Sequence, residues 1–172
     1  SLRYEKYEIL KNINFQSPYI ELPKKMTVLQ NLIFYARLYD VNDFKSKISK
    51  LSNDLKIEKL LYKNYGTLSS GQKTRVNFCK ALLNNPKLLL LDEPTASLDI
   101  ETSEFMRNYI INFQNKNKSS IIITSHDLVE IEQLCSYLII LKEGKIIFKG
   151  NKKNLLKENK LSSLKEFFLN ND

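Results

Sequence analysis

Apolar residues recur at helical spacing over 28–36 and again over 76–82, and they form unbroken runs at 88–91 and 121–123. Periodicity of 3.6 marks amphipathic helices, and short continuous runs mark strands buried on both faces. Residues 9–15 (ILKNINF) read as a short strand ending at Gln16, and Ser17, Pro18 and Pro23 mark a loop to about residue 26. Thr27 with Gln30 three residues on forms a capping box, predicting a helix to about Tyr39. Its inward stripe is Val28, Leu29, Leu32, Ile33 and Ala36. Two shorter helices are expected over 43–52 and 54–63, with Leu51, Leu55, Leu60 and Leu61 inward.

The pattern changes at Ser69. Ser69 or Ser70 caps a helix to about Asn84, with Val76, Cys79, Ala81 and Leu82 buried, and Pro86 ends it. The run at 88–91 reads as a fully buried parallel strand with Asp92 and Glu93 at its carboxyl end. A helix over 101–114 follows, then a second buried strand over 120–124. Next come a helix over 127–134, a strand over 137–142, a turn at Glu143-Gly144 and a returning strand over 146–149. Asn151 caps a further helix, and Ser163 with Glu166 forms a second capping box for a last helix through Leu169.

Strands alternating with helices after residue 87 predict an α/β fold with a parallel sheet covered on both faces, plus an all-helical block over 27–65. In such sheets ligands sit beyond the carboxyl ends of the strands. Asp92, Glu93, Ser125 and His126 all fall at such ends, so one shared site is expected there.

Composition narrows the class. The chain has 172 residues, 42% of them hydrophobic, which suits one ordinary domain or a large piece of one. Its formal charge of +8 raises the question of nucleic acid. The densest basic run (Lys45, Lys47, Lys50) is broken and lacks interleaved aromatics, so no nucleic-acid partner is expected. Lys152, Lys153 and Lys157 suit either anionic lipid or a solvated helix face. Cys79 and Cys135 lie far apart in apolar contexts and read as reduced core residues. No run reaches the length of a membrane span. The chain opens at Ser1 in mid-pattern, and its first glycine is Gly66. A phosphate-cradling GxxxxGK[ST] loop is therefore absent before residue 66.

The candidate chemistry gathers in one order. Asp92, ending an apolar strand, offers oxygen to magnesium, which takes one or two carboxylates alongside phosphates. Glu93 beside it suits a general base for water. His126, the only histidine, can donate to a phosphate oxygen. A Ser-Gly helix start at Ser69–Gly71 makes an anion site.

The sequences LSSGQ (68–72), LLLLDEPTASLD (88–99) and IIITSHD (121–127) closely resemble the ATP-binding cassette (ABC) family of transporter ATPases. The resemblance implies a P-loop NTPase-like core, ATP and magnesium as ligands, and ATP hydrolysis. It implies a helical subdomain over 27–83, an α/β core over 1–26 and 84–150, and a helical tail over 151–172. It makes Gln16 the glutamine that touches magnesium and the attacking water. Asp92 becomes the magnesium carboxylate, Glu93 the general base, and His126 the switch histidine. It sets Ser69, Gly71 and Gln72 against the γ-phosphate held by an opposite subunit, with Ser97, Leu98 and Asp99 at the dimer seam.

The implied partners are a second nucleotide-binding subunit and integral membrane permease subunits, with the chain peripheral on the cytoplasmic face of the membrane. Ser70 stands where the family has glycine. The family's adenine-stacking aromatic loop and phosphate cradle are expected upstream of Gln16, so residues 1–172 alone are expected to turn over no ATP. Residues 26–41, LSSGQKTRV and the tail SSLKEFFL (162–169) resemble ABC-2-type exporter ATPases. A ribosome-associated ABC factor is the alternative, and such factors carry two cassettes joined by a charged linker. A DNA-repair ATPase is disfavoured because 27–65 holds no long coiled coil. Retention of Gln16, Asp92, Glu93 and His126 argues against a degenerate, non-catalytic partner.

Overall fold

The computed structural model describes residues 6, 8–96, 98–159 and 161–169. They form two compact units, divided between Thr124 and Ser125.

The first unit is built on three parallel strands: β1 (Ile13–Gln16), β2 (Leu88–Asp92) and β3 (Ser120–Thr124), in the order β1-β2-β3. The strand expected over 9–15 starts only at Ile13; residues 8–10 are helical. Asn12 closes that turn, its backbone N–H donating to Ile9 O at 3.0 Å and its side chain to Glu8 O at 2.8 Å. Asparagine competes in this way with strand hydrogen bonding.

Helix α1 (Val28–Leu38) starts at the expected capping box: Gln30 N–H donates to Thr27 Oγ1 at 3.1 Å, and Thr27 N–H to Gln30 Oε1 at 2.8 Å. Helix α2 (Phe44–Asp54) follows. The second short helix expected over 54–63 is instead a 3-10 turn at Glu58–Leu60. The cause lies at Lys56, whose φ of 55° turns the chain left-handed. Lys56 N–H donates to Asn53 O (3.0 Å) and Ile57 N–H to Ser52 O (2.8 Å), which is a Schellman stop closed by the fully buried Ile57. Helix α3 (Ser70–Ala81) is capped by Ser69. Helix α4 (Ile100–Asn117) is longer than expected and ends at Lys118, also left-handed with φ 54°.

The strands are not buried on both faces. Side chains alternate across a strand, so Asn14, Gln16, Leu89, Leu91, Ile121 and Ile123 share one face. On it Asn14, Gln16, Leu89 and Leu91 are buried. The other carries Ile13, Phe15, Leu88, Leu90 and Ile122, of which Phe15 is 37% and Ile122 56% exposed. Among the described residues the expected double covering is thus incomplete on this second face; the described helix in closest contact with β1 is α3, whose Lys80 reaches the Phe15 carbonyl.

The second unit holds α5 (Leu128–Leu134), β4 (Tyr137–Lys142), β5 (Lys145–Asn151), α6 (Lys152–Glu158) and α7 (Leu164–Leu169). The strand expected to extend the parallel sheet pairs only with β5, antiparallel, among the described residues. Glu143 (φ 51°) and Gly144 (φ 74°) make the tight turn, and two left-handed residues suit the twist of a hairpin. Leu138, Ile140, Leu155, Leu164 and Phe167 form this unit's core. The last capping box is shifted by one residue. Ser163 Oγ accepts from Glu166 N–H at 3.4 Å, but the Glu166 carboxylate accepts from Ser162 N–H and Oγ–H, both at 2.7 Å. No helix among the described residues is long and apolar enough to cross a membrane.

Candidate functional site

Parallel pairing sets the carboxyl ends of β1, β2 and β3 side by side, with Gln16 opposite Leu91 and Asp92 opposite Thr124. Two hydroxyls converge on Asp92. Thr124 Oγ1 donates to Oδ1 at 2.6 Å, and Ser17 Oγ donates to Oδ2 at 2.8 Å. Both bonds favour the charged form, that from Thr124 most, so the Asp92 carboxyl titrates below its ordinary range and stays ionised at neutral pH. Sequence reasoning missed Ser17 and Thr124. The available signal was a hydroxyl residue at the end of each strand flanking β2.

Gln16 occupies the neighbouring buried position. It is 1% exposed, and its Oε1 and Nε2 have no hydrogen-bond partner among the described residues. Leaving a buried polar atom unsatisfied costs about 1–3 kcal/mol, so an orphaned amide of this kind calls for an explanation such as a ligand or ion. Across from Leu91 its side chain belongs to the sheet face opposite Asp92; it is Ser17, one residue on, that reaches the carboxylate.

The donor set around Asp92 is one carboxylate with hydroxyl oxygens. No group of three or more His, Cys, Asp or Glu converges among the described residues. A single carboxylate leaving room for phosphate oxygens fits magnesium, not a self-contained calcium or zinc cage.

Glu93 follows in a left-handed conformation, φ 47°. Its N–H donates to Thr124 O at 2.9 Å and its carbonyl accepts from Ala96 N–H at 3.1 Å. A non-glycine residue held there stores about 1–2 kcal/mol of strain, and such strain clusters at functional sites. The turn continues through buried Thr95; Ser97, expected at the dimer seam, lies outside the described residues. Asp99 caps α4. Its Oδ1 accepts from Thr102 N–H and its Oδ2 from Thr102 Oγ1–H, both at 2.8 Å. The Thr102 backbone bond is the first cause of its depressed pKa.

At the start of α3, Gln72 N–H donates to Ser69 Oγ at 3.3 Å, and Ser69 N–H to Gln72 Oε1 at 3.2 Å. Both side chains are thus engaged in forming the helix start. Gly71 sits where that first turn meets the loop before α4, because a Cβ there would stand 3.3 Å from Leu98 Cδ2. The rest of α3 fastens the segment around Gln16. Lys80 Nζ donates to Phe15 O at 3.0 Å, Asn77 Nδ2 to Ile20 O at 2.9 Å, and Lys73 pairs with Glu21 at 3.0 Å. One helix therefore joins the Ser69–Gln72 end to the Gln16 strand.

The ABC transporter family model matches residues 4–96, more than half of the chain. The chain belongs to the ABC transporter family.

Relatives within this family run in both transport directions. The tungstate uptake system ATP-binding protein TupC of Peptoclostridium acidaminophilum is 34% identical, over 71% of this chain and 58% of its own length. The Nod factor export ATP-binding protein I of Rhizobium etli is 31% identical, over 86% of this chain and 47% of its own. The solved cbiO1 structure from Clostridium perfringens, part of the ABC transporter complex cbiONQ, superposes with a TM-score of 0.75 at 30% identity. It covers 91% of this chain and 64% of that one. The chain spans about half the length of the curated relatives it matches.

Within this ABC chain, His126 belongs to the second unit, two residues past the end of β3, and its side chain is exposed. The backbone around it is set locally. Asp127 N–H donates to Ser125 Oγ at 3.0 Å, and Asp127 Oδ1 accepts from Val129 N–H at 2.9 Å to start α5.

Proposed function

We propose that the chain is the hydrolytic part of an ATP-binding subunit that powers export through partner permease subunits. The observation that carries this reading is the Asp92–Glu93 pair. One carboxylate is kept ionised by Ser17 and Thr124, and the next is carried on a strained left-handed residue. Asp92 would hold the magnesium of a magnesium–ATP complex, and that ion would neutralise phosphate charge; Gln16, whose side chain lies on the other sheet face, would join it only by turning out of its buried position. Glu93 accepts the proton of the attacking water, and His126 donates a hydrogen bond to a phosphate oxygen. Ser69, Gly71 and Gln72 present the amino end of α3 to a nucleotide carried by a second copy or a related subunit, with Asp99 near that seam. Joining Gln16 and the Ser69 turn through α3 suits coordinated movement of the two.

A permease contact is supported by α1. Met26, Ile33, Phe34 and Leu38 line an open groove of about 580 Å³ with Arg37 at its side, and Phe34 is 52% and Leu38 64% exposed. The likeness of residues 26–41, LSSGQKTRV and 162–169 to exporter ATPases supports export. The chain would then sit peripherally on the cytoplasmic face of the membrane.

The test is Glu93→Gln in the full gene product. We expect phosphate release to be abolished while ATP still drives dimerisation, because the base is lost and the anion site is kept. Near-normal turnover would overturn the assignment.

A further inference from the structure

In the first unit, α2, α4 and Asn85 line a half-open cavity of about 370 Å³. That is within the range of small-molecule sites, about 300–1,000 Å³. Three lysines line it: Lys47 and Lys50 from α2, and Lys116 from α4. Asp54 is the sole carboxylate on its wall, so the lining carries a net positive charge. Lys116 lies in the last turn of α4, where the carbonyl end of a helix already favours a cation. Lys47 has no such account. It sits near the start of α2, where the helix dipole disfavours positive charge, and the one acidic residue at that start is the cap Asp43, whose carboxylate accepts from Ser46 N–H. Its ammonium is held in place by Asn85 Oδ1, to which it donates. Burial, then repulsion from Lys50 and Lys116, lowers its proton affinity. Tyr109 supplies a planar wall.

Like charges gathered in a concave, partly apolar wall focus positive potential inside it. We propose that this cavity is a second ligand site, separate from the nucleotide site, that takes a small multiply charged phosphate compound. The lysines bind it as point charges, and no chemistry on it is implied.

Inorganic pyrophosphate and AMP are titrated separately into the 172-residue chain by calorimetry. Saturable binding of either, with Kd below about 1 mM, is expected. Tighter pyrophosphate binding assigns an inorganic anion, and tighter AMP binding assigns an organic phosphate resting on Tyr109. Lys50→Gln/Lys116→Gln, both exposed and so compatible with folding, should weaken the tighter ligand by about tenfold or more. Lys63→Gln/Lys165→Gln removes the same charge from exposed positions elsewhere and should leave binding unchanged. Equal weakening in both double variants, or no saturable binding by either compound, would refute the site.

Discussion

Lys80 tests the link between α3 and the strand that carries Gln16. It is 7% exposed, and its Nζ donates to Phe15 O at 3.0 Å and to Asn14 Oδ1 at 3.4 Å. Burial lowers its pKa from the ordinary 10.5 to about 8. A lowered lysine pKa means that the unfolded chain holds the proton more tightly between pH 8 and 10.5. Stability due to this group is therefore present above pH 10.5 and is lost as pH falls through 8. The full difference is roughly 3 kcal/mol at 1.36 kcal/mol per tenfold change, and about 2.5 kcal/mol of it is regained between pH 7 and pH 10.

Cys79 works in the opposite sense. Burial raises its thiol to about 12, so it loses stability for the protein as pH climbs from 9. The parent's own curve mixes the two, and the clean measure is a difference. Lys80→Met keeps the length of the stem and removes the titrating group. Urea unfolding of both proteins from pH 7 to pH 10 should show the parent gaining about 2.5 kcal/mol on the variant. Parallel curves would show that Lys80 does not titrate below its ordinary range, and that the ammonium is not held in a desolvated site behind Phe15.

Two further outcomes concern the same unit. Thr124→Val removes the leading cause of the depressed Asp92 pKa, and Ser17→Ala the second. Carbon-detected NMR titration should find the Asp92 carboxyl shifted upward in each variant and furthest in the double one. In the parent, the stability that this carboxylate contributes is lost only as pH falls below the usual aspartate range. Asn77→Ala removes the acceptor of the fully buried Tyr65 hydroxyl, which donates to Asn77 Oδ1 at 3.1 Å, and frees Ile20 O. A loss of about 1–3 kcal/mol is expected by denaturant unfolding, with faster hydrogen exchange at 17–22; unchanged exchange there would mean that α3 does not hold that segment.

Local signals in the sequence were read correctly where the physics is local. The Thr27–Gln30 box closes within four residues, so residue type and spacing suffice to start α1, whereas at α3 the sequence left Ser69 and Ser70 open and the Ser69–Gln72 box decides for Ser69. The 88–92 run needed only its apolar character and its terminal carboxylates to be read as a strand. The errors also have local causes that single-sequence periodicity does not capture. Asn12 turned the chain where ILKNINF looked extended, and Lys56 took a left-handed stop that glycine usually marks.

The family was legible in the chain because its motifs are contiguous. The tertiary structure decided what surrounds them. Ser17 and Thr124 meet Asp92 across sequence separations of 75 and 32 residues, and only the parallel register brings those hydroxyls to one carboxylate. The same register sends Gln16 to the buried face, its amide unpartnered among the described residues, and leaves Phe15 and Ile122 on the exposed one. A strand's alternation is visible in sequence, but which face is covered depends on where other elements pack. Lys80 shows the rule most sharply. In sequence it is one lysine among many in a chain of charge +8; in the fold it is a desolvated ammonium bonded to the backbone beside Gln16.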